Sequence, residues 1–96
     1  MKKPEECKSI NDVREAIDQI DNEIILLLAR RALYVYEAVK YKISVKTVRD
    51  EERQQKMLTK RKEWARLNNL NPDFIEGLYK YIVEFFVNEE IKEWKK

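Results

Sequence analysis

The chain contains no histidine, one cysteine, one glycine and two prolines among its 96 residues. Without histidine, and with Cys7 alone, Cys/His metal sites and Ser–His or Cys–His nucleophile relays are excluded. A lone cysteine also excludes an intrachain disulfide and fits a reducing compartment. So few turn-forming residues favour an all-α fold. Any catalysis must therefore rely on positioning and on the charges or hydrogen bonds of Arg, Lys, Asp, Glu and Gln.

Charge and hydropathy indicate which classes of partner the protein is expected to bind. Charged residues make up 40% of the chain, but the formal net charge is only +2, so we expect no strong attraction to nucleic acid or to a membrane surface. No apolar run approaches the length of a membrane span, and no signal-peptide pattern opens the sequence. We therefore expect a cytoplasmic protein. The length suits a single domain covering residues 1–96, and its small core favours a core shared between two copies.

The first and longest helix is predicted from apolar residues that recur at steps of three and four. It should begin at Ser9, with Asp12 completing a capping box, and should run to about residues 41–43. That is roughly 34 residues, or about 50 Å, which is too long to fold against one small domain. We expect it to pair antiparallel with a second copy of itself. The apolar stripe is formed by Ile10, Val13, Ile17, Ile20, Ile24, Leu27, Arg31, Tyr34, Ala38 and Tyr41.

Two further helices are predicted after a polar connection at residues 44–49. The second runs from about residues 47–50 to Asn68 and has an acidic first turn. The third opens at Asn71-Pro72-Asp73, where a cap residue is followed by proline at the first helical position. Gly77 inside this third helix destabilises the helix by about 1 kcal/mol relative to alanine. A close contact with another helix would explain a glycine at this position, and we expect such a contact there.

Arg31 is the exception in the stripe of the first helix. A guanidinium at such a position costs several kcal/mol unless an anion meets it. Arg14 and Lys42 flank the stripe, and antiparallel pairing about residue 26 would bring Arg14 of one copy between Arg31 and Lys42 of the other. The spacing therefore predicts two identical cationic pockets, each for a small anion with more than one carboxylate.

The same features also suit a helical dimerisation or binding module without catalysis. In that interpretation Arg14 and Lys42 are solvated residues beside a coiled-coil seam. Asp50 and Arg53 form an i, i+3 surface pair, and Glu90, at the edge of the third helix's apolar stripe, points to solvent. Arg31 is the weak point of this hypothesis, because a module would more naturally have leucine there.

Taken together, these positions resemble the all-helical chorismate mutase family, with the greatest similarity to its isochorismate-pyruvate lyase branch of salicylate and siderophore synthesis. The resemblance covers essentially the whole chain. Its segments are KKPEEC, VREAIDQIDNEIILLLARRALYV, AVKYK, ERQQKML, LNPDFIEGLYKYIVEFF and NEEIKEW. It implies three helices per chain in an intertwined homodimer with two active sites, no cofactor and no metal. The implied substrate is a small dicarboxylate, isochorismate or chorismate.

The resemblance also implies a role for individual residues. Arg14 is the arginine that the partner chain donates to a substrate carboxylate, and Arg31 binds a carboxylate within its own chain. Lys42 contacts the breaking ether oxygen and a carboxylate, and Arg53 orients the substrate. The remaining implied site residues are the candidate catalytic Glu90 and the substrate-binding Asp50, Val35, Ala38, Ile82 and Phe86.

The chain departs from the family pattern at several of these positions. Both branches commonly have glutamine where this chain has Glu90, although some mutases have glutamate. Asp50, in the segment VRDEER, resembles the mutases, whereas Gln54 replaces a glutamate that many mutases use for a substrate hydroxyl. Phe86 resembles the aromatic residue of the lyase. We expect a lyase that converts isochorismate to salicylate and pyruvate, with the rearrangement of chorismate to prephenate as the alternative or side activity.

Overall fold

The computed structural model describes residues 1–42 and 49–94, and these residues form helices and no strand. The all-α prediction with three long helices is therefore confirmed. The elements are a 3-10 turn at Pro4–Glu6, helix α1 at Ile10–Ala38, a 3-10 turn at Val39–Tyr41, helix α2 at Glu51–Leu67 and helix α3 at Pro72–Trp94. Most of the predicted connection at residues 44–49 lies outside the described residues. No helix in the described part of the chain is both long and apolar enough to cross a membrane.

The chain divides into two compact units, Met1–Tyr34 and Val35–Lys96, and the boundary falls within the continuous helix α1. The single domain over residues 1–96 stays a prediction.

In the first unit, a side-chain cap fixes the start of α1. The hydroxyl of Ser9 accepts a hydrogen bond from the backbone N–H of Asp12 at 3.1 Å, as predicted. The carboxylate of Asp12 accepts from the backbone N–H of Lys8 at 3.0 Å, and not from that of Ser9. In the expected capping box, the carboxylate would accept from the N–H of Ser9, but here the donor is the residue before it, Lys8. The side chain of Asp12 is shorter than that of the glutamate in the usual motif.

The carboxylate of Asp12 also binds the N-terminal segment. Its Oδ2 accepts from the ammonium of Lys2 at 3.1 Å. The hydrogen bond from the backbone of Lys8, followed by that from Lys2, lowers the pKa of Asp12 below its ordinary value of 3.8. The charged form of Asp12 therefore ties the segment before α1 to the first turn of the helix.

The apolar stripe of α1 lies open on the single chain. Ile17 and Ile24 are each 49% exposed, and none of the residues from Ile10 to Ala38 is buried. The α-helix has 29 residues, or about 43 Å, and it continues as the 3-10 turn Val39–Tyr41. The helical segment therefore ends within the predicted range, although its last turn is tighter than an α-helix. An exposed apolar stripe of this extent is typical of a surface that packs against another polypeptide.

In the second unit, α2 and α3 form a helical hairpin with its own small core. Met57, Leu58 and Ala65 of α2 and Val87 of α3 are buried. Polar contacts near the turn support the core: the guanidinium of Arg61 lies 5.1 Å from the ring centres of both Trp64 and Tyr79. The contact with Tyr79 joins α2 to α3 near the turn of the hairpin, whereas Trp64 lies on the same helix as Arg61.

The turn between α2 and α3 follows from local chemistry. Asn69 takes a left-handed conformation with φ of 59°, and the N–H of Leu70 donates to the carbonyl of Ala65 at 2.9 Å. The side chain of Asn71 then accepts from the backbone N–H of Asp73 at 2.8 Å, with Pro72 at the first helical position. The predicted start of the third helix is confirmed.

Gly77 does not have the close helix contact that its position in α3 predicted. A Cβ atom built on this residue would meet nothing within 4 Å. The prediction is wrong for the single chain, because Gly77 lies on an open face of the helix.

Candidate functional site

The two arginines of the first unit lie on one helix. Arg14 is exposed, whereas Arg31 is half-buried and its Nη1 is shielded from solvent. Seventeen residues separate them along α1, which corresponds to about 25 Å. One copy of the helix therefore cannot bring both guanidinium groups to the same small ligand. The predicted pairing of Arg14 from one copy with Arg31 from another stays a prediction.

In the second unit, the end of α1 and helix α3 are joined by aromatic packing. The rings of Tyr36 and Phe86 meet edge-on, with their centres 6.2 Å apart. Helix α3 also packs against the 3-10 turn Val39–Tyr41, and Lys42 follows directly, with its N–H donating to the carbonyl of Val39 at 3.1 Å. Several candidate site residues are half-buried in this region: Val35, Ala38, Lys42, Ile82 and Phe86. The contact between α1 and α3 thus fixes the chain just before the candidate catalytic lysine.

Glu90 is the buried charged residue of this unit. It lies on α3 one turn after Phe86 and is only 8% exposed. The interpretation that Glu90 points to solvent is therefore wrong, because the packing of the second unit covers this face of α3. Removing a carboxyl group from water costs free energy unless its surroundings compensate, and such groups are common at functional sites. Glu90 is a candidate for direct chemistry.

Asp50 acts locally as the N-cap of α2. Its Oδ1 accepts from the backbone N–H of Arg53 at 3.1 Å, and its carbonyl accepts from the N–H of Gln54 at 3.0 Å. The expected i, i+3 pair of Asp50 and Arg53 therefore involves the backbone of Arg53 and not its guanidinium, because a cap oxygen satisfies a helix N–H that has no partner within the helix. Both residues are exposed at this end of the hairpin.

Arg49 was not among the residues selected from the sequence, yet its side chain joins the segment just before α2 to α3. Its guanidinium contacts both carboxylate oxygens of Glu84 and the side-chain oxygen of Asn88, each at 3.4 Å. The side-chain amide of Gln54 donates to the carbonyl of Arg49 at 3.2 Å. Glu84 and Asn88 lie 35 and 39 residues beyond Arg49. No periodicity or motif connects positions so far apart, so no sequence signal could have found these contacts.

The acidic side chains do not form a metal site in the described part of the chain. Within residues 1–42 and 49–94, no group of three or more Cys, Asp or Glu side chains is arranged to hold a metal ion. The absence of a metal and of a cofactor stays a prediction from the family resemblance.

Comparison with known proteins identifies the family. Residues 13–91 match the model of chorismate mutase type II. Over 96 residues, all of this chain, the sequence is 42% identical to the isochorismate pyruvate lyase of Pseudomonas aeruginosa, and it covers 95% of that protein.

Two longer proteins are also similar. The chain is 36% identical over 84 residues to the bifunctional chorismate mutase/prephenate dehydratase of Buchnera aphidicola subsp. Acyrthosiphon pisum. It is also 36% identical over 72 residues to the protein of the same name from Buchnera aphidicola subsp. Schizaphis graminum. These matches include 86% and 74% of this chain but only 22% and 19% of the two relatives. The chain belongs to the chorismate mutase type II family.

Proposed function

We propose that the protein is an isochorismate-pyruvate lyase, which converts isochorismate to salicylate and pyruvate. The observation that carries this proposal is the similarity to the Pseudomonas aeruginosa lyase, which extends over all of this chain and 95% of the relative. The bifunctional relatives match a shorter part of this chain at lower identity. Phe86, which resembles the aromatic residue of the lyase, supports the same choice.

The proposed reaction is pericyclic and uses no nucleophile. The C–O bond to the enolpyruvyl group breaks while a ring hydrogen moves to that group, so pyruvate leaves and the ring becomes aromatic. The protein then has two tasks. It must hold a flexible dianion in a compact reactive conformer, and it must stabilise the negative charge that develops on the ether oxygen. Both tasks suit a chain without histidine.

The cationic residues take the roles that this chemistry requires. Arg14 of one copy and Arg31 of the other bind substrate carboxylates, together with Arg53, and guanidinium groups suit this task because they bind carboxylates with two parallel hydrogen bonds. Lys42 provides a point charge at the ether oxygen. The packing of α3 on the turn before Lys42 supports this role, since a lysine that stabilises one oxygen needs a fixed backbone. The apolar lining comes from Val35, Ala38, Ile82 and Phe86, and Asp50 contributes at the start of α2.

Glu90 acts in its protonated form. A neutral carboxyl group can donate the hydrogen bond that glutamine supplies in related proteins, whereas an ionised one would repel the anionic substrate. Burial at 8% exposure favours the neutral acid, whereas the positive charge of Lys42 would favour the anion, and the dependence of the reaction on pH tests the assignment.

The active form is a homodimer in which the second copy covers the open apolar faces. On α1 the open face is the stripe of the first unit, and on α3 it includes Phe74, Leu78, Tyr81 and Phe85, which are 41–76% exposed. Two copies would also bring Arg14 to Arg31, which one helix cannot do. Sedimentation velocity should give the mass of two chains, and a monomer at assay concentration would contradict the dimer.

One assay with both substrates tests the proposed reaction. Salicylate fluoresces and prephenate does not, so kcat/KM for isochorismate and for chorismate can be measured separately. We expect salicylate formation to have the higher kcat/KM. Faster prephenate formation would support the chorismate mutase alternative, which the family match, the bifunctional relatives and Asp50 favour. If neither substrate is turned over and neither binds saturably, the protein is the non-catalytic helical module.

A further inference from the structure

We propose that Arg49 is a positioning residue that fixes the first turn of α2, and with it Arg53, relative to α3. The inference rests on the proposed function, because it is there that Arg53 and Glu90 are assigned to the substrate. Nothing in the sequence motifs or in the family match assigns a role to Arg49.

The side chain of Arg49 connects to two successive turns of α3. Its Nη1 contacts both carboxylate oxygens of Glu84, and its Nη2 contacts one oxygen of Glu84 and Oδ1 of Asn88, all at 3.4 Å. Glu84 and Asn88 are four residues apart and share one face of the helix. The planar guanidinium can hold two such acceptors at once, which the single ammonium of a lysine does less well.

The backbone of Arg49 is held from α2. The amide nitrogen of Gln54 donates to the carbonyl of Arg49 at 3.2 Å. Between these two residues, Asp50 accepts from the N–H groups of Arg53 and Gln54. These hydrogen bonds, together with the covalent chain of Arg49 and Asp50, link the guanidinium of Arg49 to the backbone of Arg53. We call Arg49, Gln54, Glu84 and Asn88 the Arg49 clasp.

The clasp contributes geometry more than stability. The side chains of Arg49 and Glu84 are 43% and 57% exposed, and their closest charged atoms are 3.4 Å apart, so the ion pair contributes little in water. The buried core of the hairpin includes Met57, Leu58 and Val87, and neither Arg49 nor Glu84 belongs to it. In contrast, the first-turn residues Glu51, Glu52 and Arg53 are exposed. A helix end with few buried contacts opens easily, so the clasp controls the position of this turn.

The location of the clasp on α3 explains why this position matters. Phe86 follows Glu84 by two residues, and Glu90 follows Asn88 by two residues, which is about 200° around the helix in each case. The same rigid stretch of α3 therefore carries the anchor on one side and the candidate substrate-facing residues on the other. The clasp sets the distance from Arg53 to Phe86 and Glu90. A displacement of about 1 Å at a substrate-positioning group can cost about 10²-fold in rate.

The experiment compares Arg49→Ala with Arg66→Ala, a matched control in which the lost arginine pairs with Glu63 of its own helix at 3.7 Å. Purified full-length variants are assayed with isochorismate and chorismate, and thermal unfolding is recorded. We expect Arg49→Ala to lower kcat/KM about tenfold or more while its Tm stays within about 2 °C of the wild type. Arg66→Ala should leave both quantities unchanged.

Further variants separate positioning from direct contact with the substrate. Glu84→Ala should reproduce the loss, although it removes an anion and not a cation, because it releases the same anchor. Arg49→Lys should recover part of the activity, and the double exchange of Arg49→Glu with Glu84→Arg should recover more than either single exchange. If Glu84→Ala is fully active while Arg49→Ala is not, Arg49 touches the substrate and the positioning role is overturned.

Amide hydrogen exchange provides a readout that does not depend on activity. The N–H groups of Arg53 and Gln54, which donate to Asp50, should exchange faster in Arg49→Ala than in the wild type or in Arg66→Ala, whereas those of residues 57–65 should not change. If the wild type turns over neither substrate but this exchange difference is present, the proposed function fails and the clasp stands. If the wild type is active and Arg49→Ala alters neither exchange nor kinetics, the clasp is overturned and the proposed function stands.

Discussion

The ring of Phe86 packs edge-on against the ring of Tyr36, with the ring centres 6.2 Å apart and the planes at 61°. Aromatic contacts of this kind contribute about 0.5–1.5 kcal/mol beyond the burial of their area. Here the contact ties the last turn of α1 to the part of α3 that carries Glu90. Together with the packing of α3 on the turn Val39–Tyr41, it fixes the backbone that leads into Lys42.

The first prediction tests whether the site is shared between two copies. Arg14→Ala and Arg31→Ala should each be nearly inactive, because each leaves a substrate carboxylate unpaired. Mixing the two variants and allowing the subunits to exchange should restore one intact site per mixed dimer. Random exchange should recover about a quarter of wild-type activity.

The control for this experiment mixes two differently tagged samples of Arg14→Ala, which should recover nothing. The tags also measure how much mixed dimer has formed. Verified exchange between Arg14→Ala and Arg31→Ala without any recovered activity would contradict the assignment of Arg14 to the other copy.

The second prediction concerns the charge of Lys42. Lys42→Gln should lower kcat about 10²-fold or more, because the charge that the lysine stabilises develops on one oxygen in the transition state. Lys40→Gln is the matched control, since Lys40 is exposed and pairs with Glu37 at 2.7 Å. Steady-state kinetics of both variants would settle the comparison. A near-normal kcat with only a raised KM would mean that Lys42 binds the ground state alone.

The third prediction concerns the protonation of Glu90. Activity should fall as pH rises and the carboxyl group ionises, and Glu90→Gln should remove this fall, because glutamine donates the same hydrogen bond at every pH. Glu89→Gln serves as the control, since Glu89 pairs with Lys92 at 3.4 Å. The measurement is kcat/KM against pH for the three proteins. Identical profiles for the wild type and Glu90→Gln would remove Glu90 from the reaction.

The fourth prediction uses Gly77, which lies in open space on α3. Gly77 shares the face of Phe74, Leu78 and Tyr81, which the second copy covers in the proposed dimer. Gly77→Ala should therefore lower the stability of the dimer, although alanine alone would favour the helix by about 1 kcal/mol. Urea unfolding followed by circular dichroism measures the change. A variant stabilised by about 1 kcal/mol would show instead that the second copy leaves this face open, without the helix contact that the sequence predicted.

The fifth prediction concerns pH and the cap of α1. Because its pKa is lowered from the ordinary 3.8, Asp12 contributes stability that is fully present above the unfolded pKa and is lost as pH falls through the folded pKa. The stability difference between the wild type and Asp12→Asn should therefore be constant above about pH 5 and should shrink below pH 3.8. Asp18→Asn, an exposed aspartate on the same helix, is the control. Urea unfolding at several pH values measures these differences, and a pH-independent one would contradict the assignment.

Local features of the sequence were enough to find the helices. Ser9 before α1 and Asn71-Pro72 before α3 predicted two helix starts, and each of these two side chains accepts the expected backbone N–H. These bonds span two or three residues, so the chain alone determines them. The close contact expected at Gly77 is absent from the single chain, because it depends on a neighbour that local sequence does not specify.

The residues of the candidate site could be predicted from the sequence, but their burial and their contacts could not. Arg31 attracted attention because a cation interrupts an otherwise apolar spacing, and the family resemblance then implied roles for Lys42 and Arg53. The sequence could not show that Glu90 is buried, because the apolar stripe of α3 fixes its phase but not what lies against its edge. It also could not show that Asp50 uses its carboxylate to cap α2.

The helical class, the starts of α1 and α3 and the family could be predicted from the sequence, since they depend on composition, on spacing along one helix and on residue identity. Tertiary structure alone decided the burial of Glu90, the contact of Tyr36 with Phe86 and the attachment of Arg49 to Glu84 and Asn88. Arg49 and Glu84 are 35 residues apart in the sequence, and Tyr36 and Phe86 are 50 residues apart. The free energy of these features comes from packing and charge between elements, which no local pattern encodes.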